Sequence, residues 1–204
     1  MPVVEEAAAI VLVGGRSSRM GQSKAALDFG GVPLLTRIVI ELKRRFDEVV
    51  IVEAPASAGR ARIEIVGAKI VHDEAAFEGP LDALRRGLDA IEHQVGFACS
   101  CDLPLLNADV AAALVAMLDG FDGVIPEVGG KIQPLHAVYR KRCARAIELL
   151  VAGGEKRLTA VAGVLNARRV DEDESRKIDP QLWTFFNVNT PQDYRRALEV
   201  AGLV

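Results

Sequence analysis

The sequence predicts an α/β domain built on a mainly parallel sheet, and three observations carry that prediction. Short apolar runs rich in Val and Ile alternate with stretches of helical periodicity, the pattern of βαβ units. The 204 residues suffice for one domain with a sizeable core. Half of them are hydrophobic and 26% are charged, an ordinary balance for a globular chain. No internal repeat, low-complexity tract or linker interrupts them, so residues 1–204 read as a single domain.

The first strand is Ala7–Val13, a run too short for a membrane helix that breaks at Gly14-Gly15. The first helix runs from Pro33 or Leu34 to Arg45. Pro33 suits a first-turn position, and Leu35, Ile38, Val39 and Leu42 line one face. Strands follow at Val49–Val52 and Ala68–His72, with a Pro/Gly-containing loop, Ala54–Arg62, between them. Gly79-Pro80 opens a helix carrying Leu81, Leu84, Leu88 and Ile91 at helical spacing. Val95–Ser100 is the fourth strand, and Asn107 caps a helix reaching Leu118. Val124–Pro126 and Leu135–Tyr139 flank Gly129-Gly130 as two strands of a hairpin-like excursion. Helices follow near Ala144–Val151 and Lys156–Val164, then strands at Ala167–Val170 and Thr184–Val188. Pro191 opens the last helix, to Ala201. The intervening acidic run, Asp171–Glu174, closed by Arg176 and Lys177, reads as solvated surface loop rather than a metal site.

Net charge and cysteines narrow the function. A net charge of −3 gives no support for nucleic-acid or anionic-membrane partners. Glu5 and Glu6 precede the first apolar run, the wrong sign for a signal peptide, and no segment is long enough to span a bilayer. The expected location is cytoplasmic. Three cysteines, Cys99, Cys101 and Cys143, are an odd count without a secretory signal, and no partner set completes a zinc site. They read as small buried apolar residues.

In open α/β sheets ligands bind beyond the carboxyl ends of strands. Polar residues that follow the apolar runs are therefore the candidates. Gly14, Gly15, Arg16, Ser17, Ser18, Arg19, Gly21 and Lys24 follow the first strand. Glycine lets the backbone approach a phosphate, and Arg and Lys neutralise it. The loop is neither a P-loop, because Gly21 is followed by Gln22-Ser23-Lys24, nor a GxGxxG fingerprint. Asp73 follows the third strand, Asp102 the fourth, and Asn187 and Asn189 the late one. Asn187 and Asn189 bracket Val188 and share one face. Such a set suits a nucleoside triphosphate with a hard cation, which takes carboxylate and phosphate oxygens. Each member also has a plain alternative: Asp102-Leu103-Pro104 as a strand-ending turn, Asn189-Thr190-Pro191 as a helix cap, Lys24 as an exposed loop lysine. His72, His93 and His136 form no metal-ligand pattern.

Leu12–Lys24, LVGGRSSRMGQSK, resembles the LxGGxSxRMGxxK signature of nucleotidyltransferases that make nucleoside-diphosphate sugars and cofactor dinucleotides. With GPL (Gly79–Leu81), CDLP (Cys101–Pro104), GEKR (Gly154–Arg157) and NVNTP (Asn187–Pro191), the chain is most similar to the molybdenum-cofactor guanylyltransferases. The resemblance implies a single-domain Rossmann-like nucleotidyltransferase fold, a mostly parallel mixed sheet with helices on both faces. It implies GMP transfer from GTP to molybdopterin or molybdenum cofactor, releasing pyrophosphate, with Mg2+ as cofactor. Partners would include cofactor-donor and recipient molybdoenzyme proteins. Carried over by position, Leu12, Val13, Gly14, Gly15, Lys24, Asp73, Gly79, Pro80, Leu81 and Asp102 would bind nucleotide. Asp102 would hold the metal, Arg19 and Lys24 would join it in catalysis, and Arg157, Asn187 and Asn189 would face the second substrate.

Two positions depart from the family pattern. Val13 stands where alanine is usual, and Val52, Glu53 and Ala54 stand where the guanine pocket often has an Asn. Val13-Gly14-Gly15 differs in turn from the Ala-Ala-Gly of cytidylyl relatives, which favours GTP. Molybdopterin cytidylyltransferase, sugar-phosphate nucleotidyltransferase and a nucleotide-binding cofactor chaperone without turnover stay as alternatives.

Overall fold

The computed structural model describes residues 6–14, 24–53, 65–72 and 79–204. Among them, eight strands form one mixed sheet: β1 (Ala7–Val13), β2 (Val49–Glu53), β3 (Lys69–His72), β4 (Val95–Ser100), β5 (Gly123–Val128), β6 (Lys131–Ile132), β7 (His136–Arg140) and β8 (Ala167–Val170). The order is β3-β2-β1-β4-β7-β5-β6, with β8 paired to β5. β1 is parallel to β2 and β4, and β2 to β3. β7 runs antiparallel to β4 and β5, and β8 parallel to β5. The helices are α1 (Leu34–Lys43), α2 (Pro80–Ala90), α3 (Ala108–Ala116), α4 (Cys143–Ala152), α5 (Val161–Val164), α6 (Glu172–Ile178) and α7 (Pro191–Val200).

All seven residues of β1 are buried, because helices cover both faces of the sheet there. Ala7, Ala9, Val11 and Val13 pack with Leu34, Leu35, Ile38 and Leu42 of α1. Ala8, Ile10 and Leu12 pack with Leu81, Leu84 and Leu88 of α2 and Ile147 of α4. Each fully buried leucine contributes about 1.5–3 kcal/mol. α2 lies very close to β1: a Cβ on Gly87 would stand 2.4 Å from Ile10 Cγ2.

This topology selects one crevice. The chain leaves β1 for β2 and β3 on one side, then returns to β4 on the other. The reversal falls between β1 and β4, the switch point where open α/β sheets hold ligands. Gly14 follows β1 there, Ser100 ends β4, and Cys101 and Asp102 follow it in a turn. Cys101 N donates to Leu12 O at 3.2 Å, tying the two strand ends together.

Four expectations are corrected. Thr184–Val188 is not a strand. Leu182 has φ 56°, Trp183–Phe185 is a 3-10 turn, and the segment is held by Thr184 N donating to Asp179 Oδ2 and Val188 N to Asp102 O. The two strands flanking Gly129-Gly130 do pair antiparallel, at Gly123–Val124 with Val138–Tyr139, but the tight turn there (φ 60° and 68°) joins β5 to an unexpected short β6, and β7 also pairs with β4. The acidic run is a helix, α6, because Asp171 accepts from Glu174 N and Glu172 pairs with Arg176 one turn on. The helix expected from Lys156 begins later, as a 3-10 turn Leu158–Ala160 leading into α5; Glu155 Oε1 holds the backbone N–H groups of Lys156 and Arg157 outside it.

Candidate active site

The site is built on Asp102. Its backbone is fixed from both sides, by the Cys101–Leu12 bond and by Val188 N, which donates to Asp102 O at 2.9 Å. Its carboxylate is held at both oxygens. Ser100 Oγ donates to Oδ1, and Lys24 Nζ donates to Oδ2 at 2.9 Å. Lys24 also donates to Asn189 Oδ1 at 2.8 Å. One ammonium thus joins the residue after the N-terminal loop, the end of β4 and the turn before α7. The pair is about one-fifth exposed, 22% for Lys24 and 19% for Asp102, so solvent screens it only in part.

Asn189 is held in turn by Asp193. Asp193 Oδ2 accepts from Asn189 N at 3.0 Å and from Thr190 N at 2.8 Å, while Thr190 Oγ1 accepts from Asp193 N, a capping box at the start of α7. The Asn189 N–H holds the Asp193 carboxyl below the usual carboxylate range, with Thr190 and the charge of Lys24 acting in the same direction.

Beside Asp102 opens a cleft of about 330 Å³, lined by Gly14, Ser100, Gln133, Leu158 and Asn187 among others. It combines side-chain amides and apolar groups with one carboxylate. Another cleft lies at the opposite, amino end of β2 and β3, around Val49 and Lys69. Asp102 and the β1–β4 switch point are not part of it.

His136 stands in the wall of the cleft at 1% exposure, its ring 5.1 Å from Phe97 and 4.5 Å from Phe185. Nε2 lies 3.3 Å from Thr184 Oγ1, and Nδ1 is buried with no hydrogen-bond partner among the described residues. Burial pushes its pKa down to about 3, so the imidazole is neutral. Unfolded His136 takes a proton below about pH 6.5, and the folded residue refuses it. Its stabilising effect is full above about pH 6.5 and is lost as pH falls toward 3, at about 1.4 kcal/mol per unit. Asp82 is a carboxyl with the opposite balance: burial opposes its charge, but hydrogen bonds from Arg86 and Arg85 outweigh this and keep it low. Between pH 6.5 and 4.5 the histidine should therefore dominate. Urea unfolding should show roughly 2–3 kcal/mol of stability lost over that range, and His136→Phe should remove most of the slope. Equal slopes for both proteins would show that His136 does not control acid stability.

Residues 9–170 match the family described as MobA-like NTP transferase domain. The chain belongs to the MobA-like NTP transferase family. A probable molybdenum cofactor guanylyltransferase of Pelotomaculum thermopropionicum is 32% identical over 196 residues, covering 96% of this chain and 94% of the relative. A molybdenum cofactor guanylyltransferase of Desulfosudis oleivorans is 31% identical, covering 92% of each chain. A solved structure of molybdopterin-guanine dinucleotide biosynthesis protein A from Archaeoglobus fulgidus superposes with a TM-score of 0.80 at 24% identity, over 97% of this chain and all of that one. The 2-C-methyl-D-erythritol 4-phosphate cytidylyltransferase of Thermus thermophilus shares the fold, with a TM-score of 0.67 at 15% identity over 95% of this chain and 98% of that one. The architecture is thus the nucleotidyltransferase fold: one α/β domain, a mixed sheet and helices on both faces.

Within that family framework the structure brings some expected residues together and leaves others apart. Gly14, Lys24, Asp102 and Asn189 converge, and Asn187 joins them along the cleft, its Nδ2 donating to Phe185 O. The side chains of Leu12, Val13 and Leu81 are buried in the cores, so only their backbone could meet a ligand. Gly79 and Pro80 form the amino end of α2. At Gly79, with φ 104°, an added Cβ would lie 3.4 Å from Lys156 Cβ, so GPL packs against GEKR. Arg157 is 80% exposed and forked onto Glu155, Nη2 to Oε2 at 2.8 Å. That guanidinium, helped by the N–H groups of Arg157 and Lys156, holds the Glu155 carboxyl down at about 2. Gly15, Arg19 and Asp73 lie outside the described residues. Cys101, buried beside Asp102, has its thiol pushed up to about 12 by burial, and Cys143 is pushed up to about 11. All three cysteines are buried free thiols, as expected.

Sequence reading missed Ser100, Asp193 and Gln133. Ser100 and Asp102 are two apart at a strand end, and Thr190-x-x-Asp193 is a capping-box spacing, so both had a local signal. Gln133 reaches the cleft only through the bend between β6 and β7 and had none.

Proposed function

We propose that this protein transfers GMP from GTP to molybdopterin or molybdenum cofactor, forming the guanine dinucleotide and pyrophosphate. The observation that carries the reading is the Lys24–Asp102–Asn189 bridge at the β1–β4 switch point, beside a cleft of amide and apolar groups. Guanylyltransferase relatives matched over nearly their whole length support it.

In this reading a terminal phosphate oxygen of molybdopterin attacks the α-phosphorus of GTP. A new P–O bond forms, the bond from the α-phosphorus to the bridging oxygen breaks, and pyrophosphate leaves with the electron pair. The attacking phosphate is already anionic, so no general base is needed. The neutral, buried His136 is not asked to serve as one. Lys24 supplies a fixed positive charge for phosphate oxygens, Gly14 permits close approach of the backbone, and Arg19 would add a second charge. Gln133 and Asn187, which line the cleft together with Leu158, would offer hydrogen bonds to a heterocyclic second substrate.

Mg2+ is part of the proposal. Among the described residues no three His, Cys, Asp or Glu side chains form a metal cage. The residues present still fit this ion, which is commonly bound through one or two carboxylates with substrate phosphates supplying the remaining oxygens. Asp102 is the carboxylate that would hold it, and bound there it would neutralise charge on the phosphates. Among the described residues no helix is long and apolar enough to cross a membrane, and the proposed setting is cytoplasmic.

The test is calorimetric titration with GTP, CTP, UTP and ATP in the presence of Mg2+, followed by pyrophosphate release with molybdopterin or with a sugar phosphate. GTP should bind most tightly and release pyrophosphate only with molybdopterin present. A clear preference for CTP would replace the guanylyl reading by the cytidylyl one. Binding without pyrophosphate release from molybdopterin or from a sugar phosphate would mark a chaperone, and release with the sugar phosphate alone would mark a sugar-phosphate nucleotidyltransferase.

A further inference from the structure

We infer that Ser100 is the positioning residue that fixes the Asp102 carboxylate for a divalent cation, an inference that rests on the proposed metal-holding role of Asp102. Ser100 is the last residue of β4, pairs in register with Leu12 of β1 and opens onto the cleft. The intervening Cys101 points into the core, so Ser100 and Asp102 stand on the same side of the strand end. Ser100 Oγ donates to Asp102 Oδ1 and Lys24 Nζ to Oδ2.

The two donors differ in what else is asked of them. Lys24 is shared with Asn189 and is the charge proposed to meet phosphate. An ammonium drawn toward phosphate holds the carboxylate less well. Among the described residues the Ser100 hydroxyl has Asp102 as its acceptor, and it lies only two residues from Asp102. It is neutral, so it restricts carboxylate rotation without cancelling the negative charge a hard cation needs. The main chain of Asp102 is already pinned by Val188 N and by the Cys101–Leu12 bond. The remaining freedom is side-chain rotation, and the Ser100 hydroxyl removes it. A plain strand-ending hydroxyl would affect stability alone; a positioning hydroxyl would affect the cation.

The experiment measures Mn2+ binding by electron paramagnetic resonance in the presence of GTP, for wild type, Ser100→Ala, Ser100→Thr and Asp102→Asn, alongside GTP binding without metal and thermal melting. Loss of a group orienting a metal ligand costs roughly 10- to 100-fold in metal affinity. Ser100→Ala should weaken Mn2+ binding by that factor and leave metal-free GTP binding and melting nearly unchanged. Ser100→Thr, which keeps the hydroxyl, should restore affinity to within about 3-fold of wild type, well short of that orienting loss. Should the alanine variant misfold, Ser100→Cys keeps the size with a weak donor and should show the same loss. Wild-type affinity in Ser100→Ala with loss in Asp102→Asn would overturn the role of Ser100 and leave that of Asp102 standing. Wild-type affinity in Asp102→Asn would instead remove the reading of Asp102 itself.

Discussion

Asp102→Asn should give a folded protein whose turnover falls roughly 10³-fold, since holding phosphate charge with a cation is worth several kcal/mol. Asn keeps the shape of Asp and its fitness for a strand-ending turn. Its amide oxygen can still accept from Lys24, and its NH2 can donate to Ser100 Oγ, so both contacts of the carboxylate have a neutral counterpart. Val188 N still has the Asp102 carbonyl, which keeps the Asn187–Thr190 turn in place. What disappears is the negative charge. The variant should need much more Mg2+, remain slow at saturating GTP, and bind GTP more weakly through Gly14 and Lys24. The measurement is the Mg2+ dependence of pyrophosphate release, with melting alongside. An unchanged magnesium profile and normal activity would remove Asp102 from the site and the proposed mechanism with it.

The placement of Gly14 and Asp102 in the candidate site was legible in the sequence because they follow strand ends, and strand ends are set locally. β1 and β4 fall at their expected boundaries, because an apolar run closed by Gly or a polar turn has few other solutions, and β8 falls at its own although its sequence is Ala-Arg-Arg-Val. The strand expected at Thr184–Val188 failed for the opposite reason. The alternation around Val188 is genuine, since it is fully buried between exposed Asn187 and Asn189, although Thr184 and Phe185 are buried side by side. Yet the backbone partners are the Asp179 side chain, just before the segment, and the Asp102 carbonyl, far away in the sequence, and neither is a strand-ladder partner. The β5–β6–β7 bend is likewise a tertiary choice: Leu135–Tyr139 had a strand's composition, but pairing with β4 decided its place. The helix at Glu172–Ile178 was legible and overlooked, since Asp171-x-x-Glu174 is a capping spacing ahead of a Glu172–Arg176 pair.

Lys24→Ala should lower turnover 10²- to 10³-fold, the loss expected when one charge partner of the transition state is removed. As an exposed loop lysine, Lys24 would contribute almost nothing to stability; the structure changes that expectation. Lys24 is only 22% exposed and bridges Asp102 and Asn189 at 2.9 and 2.8 Å. Among the described residues, removing it leaves the Asp102 carboxylate with Ser100 as its remaining side-chain donor and Asn189 Oδ1 without its lysine. A partly buried pair of this kind is worth about 1 kcal/mol, between an exposed ion pair and a hydrogen bond to a buried charge. Melting should therefore drop by about 2–4 °C in a chain of this length. Lys24→Met keeps the aliphatic stem and loses the charge, so it should melt like Lys24→Ala or slightly higher and be equally slow. Lys24→Arg keeps the charge but replaces a compact ammonium with a planar fork, and should recover stability more fully than turnover. The three variants separate two roles of one side chain. A lower melting temperature with normal turnover in Lys24→Ala would make Lys24 a structural tie between the β4 end and the α7 turn. Slow turnover that persists after stability returns in Lys24→Arg would place the Lys24 ammonium at the phosphates.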